Sequence, residues 1–173
     1  GDSECGQHRL DVGLPGHSPS ATAPAARAAT LGPMDVRALG AAHRGAATAL
    51  WRVAGLTRPW NDPAADYDRA VAGPTSAVLA AFDGGTLVGT VMVGHDGHRG
   101  WVYYLAVQPA VRGRGVGREL MRAAEAWLTE RDVPKLNLMV RHDNAAAIAF
   151  YTALGYTDGD VTVLGKFLGP PDE

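Results

Sequence analysis

Two apolar runs, Ser76–Phe82 and Thr86–Val93, are joined by the triplet Asp83-Gly84-Gly85. Glycine reaches positive φ without a steric cost, so this triplet closes a hairpin, and the two runs must lie antiparallel in one sheet. A further loop, Gly94–Gly100, leads into Trp101–Val107 as the third strand of the same meander. The period then changes. Val116, Leu120, Met121, Ala124 and Leu128 recur at helical spacing with Arg118, Arg122 and Glu125 between them, which predicts a long helix with one face on the sheet. Upstream, Met34–Ala38 reads as a short strand, Ala41–Ala54 as a helix stopped by Gly55, and a second helix runs from Pro63 to Gly73-Pro74. Downstream, Lys135–Val140 reads as a strand, Ala145–Leu154 as a helix ended by Gly155, and Thr157–Leu168 as two short strands. The expected class is mixed α/β, without internal repeats.

Composition divides the chain at Met34. Residues 1–33 hold none of the twelve aromatics but four of the eleven prolines, and their larger aliphatics are Leu10, Val12, Leu14 and Leu31 alone. Such a stretch cannot bury enough apolar surface to offset a backbone ordering entropy of ~1–2 kcal/mol per residue. It is expected to be a flexible tail or leader segment, with a short helix about residues 25–30, and residues 34–173 the functional domain. Sixteen Lys and Arg against eighteen Asp and Glu give a net charge of −2, so no overall field draws the chain to nucleic acid or anionic lipid. No stretch approaches the ~18 apolar residues of a membrane span. The single cysteine, Cys5, excludes an internal disulfide and a cysteine-based zinc cluster. No nucleic-acid or membrane partner and no metal is expected, and the location expected is cytoplasmic.

The strongest local signal is Val111-Arg112-Gly113-Arg114-Gly115-Val116-Gly117, which joins the third meander strand to the long helix. Glycines let a ligand approach the backbone closely, a helix N-terminus offers unpaired N–H groups, and two arginines add charge. A phosphate or pyrophosphate is the ligand this combination suits. The dinucleotide pattern GxGxxG is broken by Arg118, and the triphosphate pattern GxxxxGK[ST] is absent. A second signal follows the next strand. On a helix from Asn144, that residue, Ala147 or Ile148, and Tyr151 share one face, which sets a polar end and a phenol side by side.

Leu105-Ala106-Val107 ending a strand, Arg112-x-x-Gly115-x-Gly117 opening a helix, and Asn144-x-x-Ala147-x-x-x-Tyr151-x-x-x-Gly155-Tyr156, in this order, resemble the GNAT superfamily of acetyl-CoA-dependent N-acetyltransferases. The likeness spans about residues 34–168. It implies the GNAT acyl-CoA N-acyltransferase fold, an antiparallel meander followed by β-α-β-α with a splayed central strand pair. It also implies acetyl-CoA as cosubstrate and acetyl transfer to a primary amine by direct attack through a tetrahedral intermediate. The backbone of Leu105, Ala106 and Val107 would pair with the pantetheine arm, and Asn144 would contact it. Arg112, Gly113, Arg114, Gly115, Val116 and Gly117 would hold the pyrophosphate. A backbone N–H near Leu105 would steady the oxyanion and Tyr151 would protonate the departing thiolate. The acceptor implied is a small-molecule amine or a peptide or protein amine, and the family's habit implies a homodimer. An acyl-CoA-binding regulatory module without catalysis is the alternative.

The general base is not marked. Some members of the superfamily carry a glutamate on the third meander strand, but Trp101–Val107 has no carboxylate. The Asn144–Tyr151 segment resembles most the ribosomal-protein N-terminal acetyltransferases, whose glutamate on the preceding strand is replaced here by Met139. A water relay aided by Tyr103 or Tyr104, or a group from the 96–99 loop, remains. Arg58-Pro59-Trp60-Asn61-Asp62-Pro63 falls where the superfamily walls off its acceptor, and it reads equally as a capped turn with Trp60 packed on the core. Both this stretch and 94–100 resemble a little-characterised bacterial branch of the superfamily. His95, Asp96 and His98 are too tightly spaced in one turn to converge on a metal.

Overall fold

The computed structural model describes residues 34–168. The expectations for the tail, 1–33, and for the last five residues lie outside that range. Strands β1 (Asp35–Ala38), β2 (Ser76–Asp83), β3 (Thr86–His95), β4 (Gly100–Val107) and β5 (Leu136–Asn137) form one sheet in sequence order. The first four run antiparallel, and β5 lies parallel to β4. Helices α1 (Arg44–Val53) and α2 (Pro63–Ala72) join β1 to β2, α3 (Val116–Thr129) joins β4 to β5, and α4 (Ala145–Ala153) follows. Gly84 and Gly85, at φ 54° and 85°, close the predicted hairpin between β2 and β3. The order is the one expected, an antiparallel meander followed by β-α-β-α.

The sheet is covered on both faces because side chains alternate along a strand. Leu79 and Ala81 of β2, with Val91 and Val93 of β3, pack under Val116, Leu120, Met121, Ala124 and Leu128 of α3, the apolar stripe predicted for that helix. Their β2 neighbours Val78, Ala80 and Phe82 face Ala47, Leu50 and Trp51 of α1 and Tyr67 and Ala70 of α2. Close approach of α3 depends on Gly89: a Cβ there would stand 2.8 Å from both Leu120 and Val116. Two buried polar groups are paired. Trp51 Nε1 donates to Thr90 Oγ1 at 2.9 Å, and the Tyr67 hydroxyl to the Gly40 carbonyl at 2.8 Å. Asp62 starts α2 by accepting from the N–H groups of Ala64 and Ala65, with Pro63 in the first turn.

Two differences from expectation concern the C-terminal half. The strand expected over 135–140 pairs only at Leu136 and Asn137, opposite Gly100 and Trp101. Beyond them β4 continues to Val107 alone, so the two strands part, which is the splayed pair. The two strands expected within 157–168 do not form. A strand needs an edge to pair with, and β5 offers two residues. Asp160 also sits at φ 50° with its N–H on the Asp158 carboxylate, a turn rather than an extended start. Val161, Val163, Leu164, Phe167 and Leu168 are left exposed. Among the described residues no helix is long and apolar enough to cross a membrane.

Candidate active site

Where β4 parts from β5, a cleft of about 830 Å³ opens. Leu105 and Val107 of β4, Arg112, Gly113, Gly115, Val116 and Gly117 of the following turn, and Asn144 and Tyr151 of α4 all line it. Two of the expected site residues do not. Ala106 turns its side chain into the core beneath α1 and α2, because it alternates with its neighbours. Arg114 is absent from the lining.

The turn is built for access to its backbone. Gly113 and Gly115 adopt φ 75° and 87°, where a side chain is strained, and Gly115 caps α3 from that left-handed conformation. No side chain caps this end, and the first bond of the helix type is Glu119 N–H to the Gly115 carbonyl at 3.1 Å. The N–H groups of Val116, Gly117 and Arg118 therefore precede the helix ladder. Gly117 is the point of closest packing: a Cβ there would lie 3.2 Å from the Phe150 ring. Among the described residues four arginines line the cleft, Arg58, Arg112, Arg118 and Arg141, and no carboxylate does. Arg112 Nε also donates to the Val107 carbonyl at 3.3 Å, and Arg141 shares its charge with Asp143.

Asn144 and Tyr151 mark opposite ends of α4's cleft-facing side. Asn144 Oδ1 caps the helix by accepting from Ala147 N–H at 3.1 Å, which leaves its amide N–H groups for a ligand. Tyr151 is edge-on to Phe150 at 5.0 Å and to Tyr156 at 5.8 Å. Burial pushes the Tyr151 phenol above its usual value, so it is protonated at neutral pH. Tyr156 is anchored through its hydroxyl to Glu125 at 2.6 Å, and burial and that bond push its own ionisation upward.

A second cleft, of about 620 Å³, lies against the other half of β4 and shares Leu56, Tyr103 and Tyr104 with the first. Its remaining wall includes Asn61, Asp66, Arg69, Met92, His95, Asp96 and Trp101. Here β4 carries an extra residue. Thr90 pairs with Ala106 but Met92 with Tyr103, so two steps on β3 match three on β4. The bulge holds Tyr104 at φ 50°, a conformation costing roughly 1–3 kcal/mol for a residue other than glycine. Two contacts hold it. The ring stacks on Trp51 at 4.0 Å and 12°, and the hydroxyl donates to Asp66 Oδ2 at 2.7 Å. Burial first, then the Asp66 bond, push Tyr104 up to about 12. A phenol that holds its proton this firmly offers no phenolate at neutral pH to accept another, which removes the role of general base.

The 95–100 loop serves itself. Asp96 Oδ1 accepts from the N–H groups of His98 and Arg99 at 2.8 and 2.7 Å, and Oδ2 from Trp101 Nε1 at 3.2 Å. Those bonds hold its carboxyl down at about 2, so it too is a poor proton acceptor. Trp60 is 60% exposed and not packed on the core. Sequence reasoning passed over Asp66, whereas Asn61 belongs to the 58–63 stretch it had set beside the acceptor. The hairpin-like spacing of the motif tells nothing about a carboxylate 38 residues before Tyr104. The nearest signal was the acid's place one turn into a helix beginning at Pro63.

Residues 43–156 match the model of the acetyltransferase (GNAT) family. A Yersinia pestis protein described as an acetyltransferase is 48% identical over 119 residues, which cover 69% of this chain and 84% of that one. In fold, the chain is similar to AAC(6')-Iy solved with a bisubstrate analog, CoA-S-monomethyl-acetylneamine. The TM-score is 0.69 at 19% identity, over 79% of this chain and 99% of that one. It is likewise similar to a ribosomal-protein-alanine N-acetyltransferase from Brucella melitensis, with TM-score 0.64 and 20% identity over 78% and 99% of the two chains. Motif, splayed strands and whole-domain match agree, and the chain belongs to the GNAT family of acetyltransferases.

Proposed function

We propose that the protein transfers an acetyl group from acetyl-CoA to an amine, with the arginine-lined cleft taking the CoA and the second cleft the amine. The observation that carries this reading is the contrast between two clefts that meet at Tyr103 and Tyr104. Among the described residues, one is lined by four arginines and no carboxylate, the other by two carboxylates and one arginine. A polyanion and a cation are thereby drawn to neighbouring clefts along the same strand. The glycine turn fits the group: positive-φ glycines and uncapped helix N–H groups leave the backbone open to a pyrophosphate.

Bound there, acetyl-CoA supplies an activated thioester. The chain's own residues do the rest. Arg112, Arg118 and the N–H groups opening α3 neutralise the pyrophosphate, and the amide of Asn144 and the free edge of β4 orient the pantetheine arm. The N–H beside Leu105, on the bulge, faces a developing oxyanion. The attacking nitrogen loses a proton and the departing sulfur gains one. Tyr151 donates the latter from its hydroxyl. Phenol and thiol differ by about 1.5 units in reference pKa, about 2 kcal/mol, and burial of Tyr151 widens that gap. The nitrogen's proton leaves through the water-accessible second cleft, since Tyr104 is already protonated and the Asp96 carboxylate is too weak a base to keep it.

Thiol release from acetyl-CoA, screened over polyamines, amino acids and peptide N-termini, tests the proposal. Turnover with an amine supports it. CoA binding by calorimetry with no turnover on any amine would favour the regulatory module, which the absence of a carboxylate on β4 keeps in view.

A further inference from the structure

We propose that Asp66 is the specificity-determining residue of the acceptor cleft, anchoring a second cationic group of the amine substrate one tyrosine side chain away from the attacking nitrogen. The inference rests on the acetyltransferase reading above and names the substrate class: an aliphatic amine with a second ammonium across a short apolar spacer.

Of the two carboxylates in the second cleft, Asp96 has both oxygens committed to its own turn. Asp66 is the available one. It accepts from Tyr104 through Oδ2 and pairs with Arg69 through Oδ1. A carboxylate offers about four acceptor directions, so these two leave room for a ligand. Its side chain is 22% exposed while that of Arg69 is 71% exposed. The guanidinium therefore reaches in from solvent and can be exchanged for another cation at small cost, as exposed ion pairs are weak.

The distance from the reacting centre is set by Tyr104. Its backbone is the bulge of β4, its ring lies flat on Trp51, and Trp51 is fully buried and bonded to Thr90. The ring cannot swing, so Asp66 is held at the far end of a fixed spacer from the strand. A carboxylate there does not reach a nitrogen attacking beside Leu105. It does reach a second charge on the same molecule. Leu56, Ala70 and Met92 line the same cleft and give it an apolar surface suited to methylenes.

The test is kcat/KM for 1,4-diaminobutane relative to n-butylamine, with calorimetry of CoA alongside. The wild-type chain should prefer the diamine. Asp66→Asn keeps the acceptor for Tyr104 and removes the charge, and should lower the diamine-to-monoamine ratio about tenfold, chiefly through KM. Arg69→Gln removes the competing guanidinium and should raise the ratio, a gain that a merely structural ion pair would not produce. Should Asp66→Asn melt early, Arg69→Gln decides alone. An unchanged ratio in the folded Asp66→Asn variant, an unchanged or lowered one in Arg69→Gln, or CoA binding with no turnover of either amine overturns the inference. Loss of CoA binding by the wild-type chain overturns instead the reading on which it rests.

Discussion

Tyr151 is held by two neighbouring rings rather than by a bond to its hydroxyl, which makes it separable from the fold. Tyr151→Phe keeps both edge-on contacts and removes the donor. General-acid catalysis is typically worth ~10²–10⁴-fold, so kcat should fall within that range while CoA affinity hardly moves. Wild-type kcat in a rate limited by chemistry would leave Tyr151 a packing residue. Because burial raises its ionisation, the loss of its proton should not limit kcat below about pH 10. Asp96 makes the opposite case. Its folded value of about 2 lies below the usual 3.8, so its bonds contribute stability above pH 3.8, and that contribution is lost as pH falls toward 2. The Tm difference between wild type and Asp96→Asn should therefore be largest near neutral pH and vanish toward pH 2. An undiminished difference at pH 2 would mean the loop is held by something else. Asp66 shows where single-residue reading stops. Its chemistry depends on a bulge, a stacked indole and an exposed arginine that no local spacing announces.

Elements were legible where their signal was local. The hairpin glycines, the α3 stripe and the Pro63 start of α2 all follow from residues within one or two turns of one another. The Arg112–Gly117 turn was legible for the same reason, and its two glycines separate by mechanism. Gly115→Val forces a β-branched residue to φ 87°, whereas Gly117→Val drives side-chain atoms into Phe150 from 3.2 Å. Both should weaken CoA binding by about tenfold or more by calorimetry. Gly117→Val should also lower stability by about 1–3 kcal/mol, the usual cost of overpacking. A Gly117→Val chain with unchanged CoA affinity would remove the turn from the cofactor site. Strand length was not legible. The run 135–140 is apolar enough for a full strand, but its pairing stops at Asn137, opposite Trp101 and ahead of the bulge at Tyr104. Thr157–Leu168 has strand-like alternation with no edge to pair with, and propensity alone does not supply one.

On the scale of the molecule, one five-stranded sheet with helices on both faces provides the whole frame, and every residue assigned to either cleft lies between Ala54 and Tyr151. The family match, residues 43–156, encloses that span. The described core closes on itself: Met34 and Val36 pack against the cluster under α3, and Leu39 against the one under α1 and α2. A chain beginning at Met34 thus keeps every contact of the two clusters among the described residues, and residues 1–33 bring no aromatic and few large aliphatics to add to them. That chain should fold, bind CoA and turn over amine as the full chain does, with Tm within a few degrees. For a domain of this size a shift of ~2–4 °C corresponds to about 1 kcal/mol. A fall well beyond that, or a loss of amine turnover with CoA affinity retained, would show that the first 33 residues contribute to the core or to the acceptor cleft, and would overturn the division of the chain at Met34.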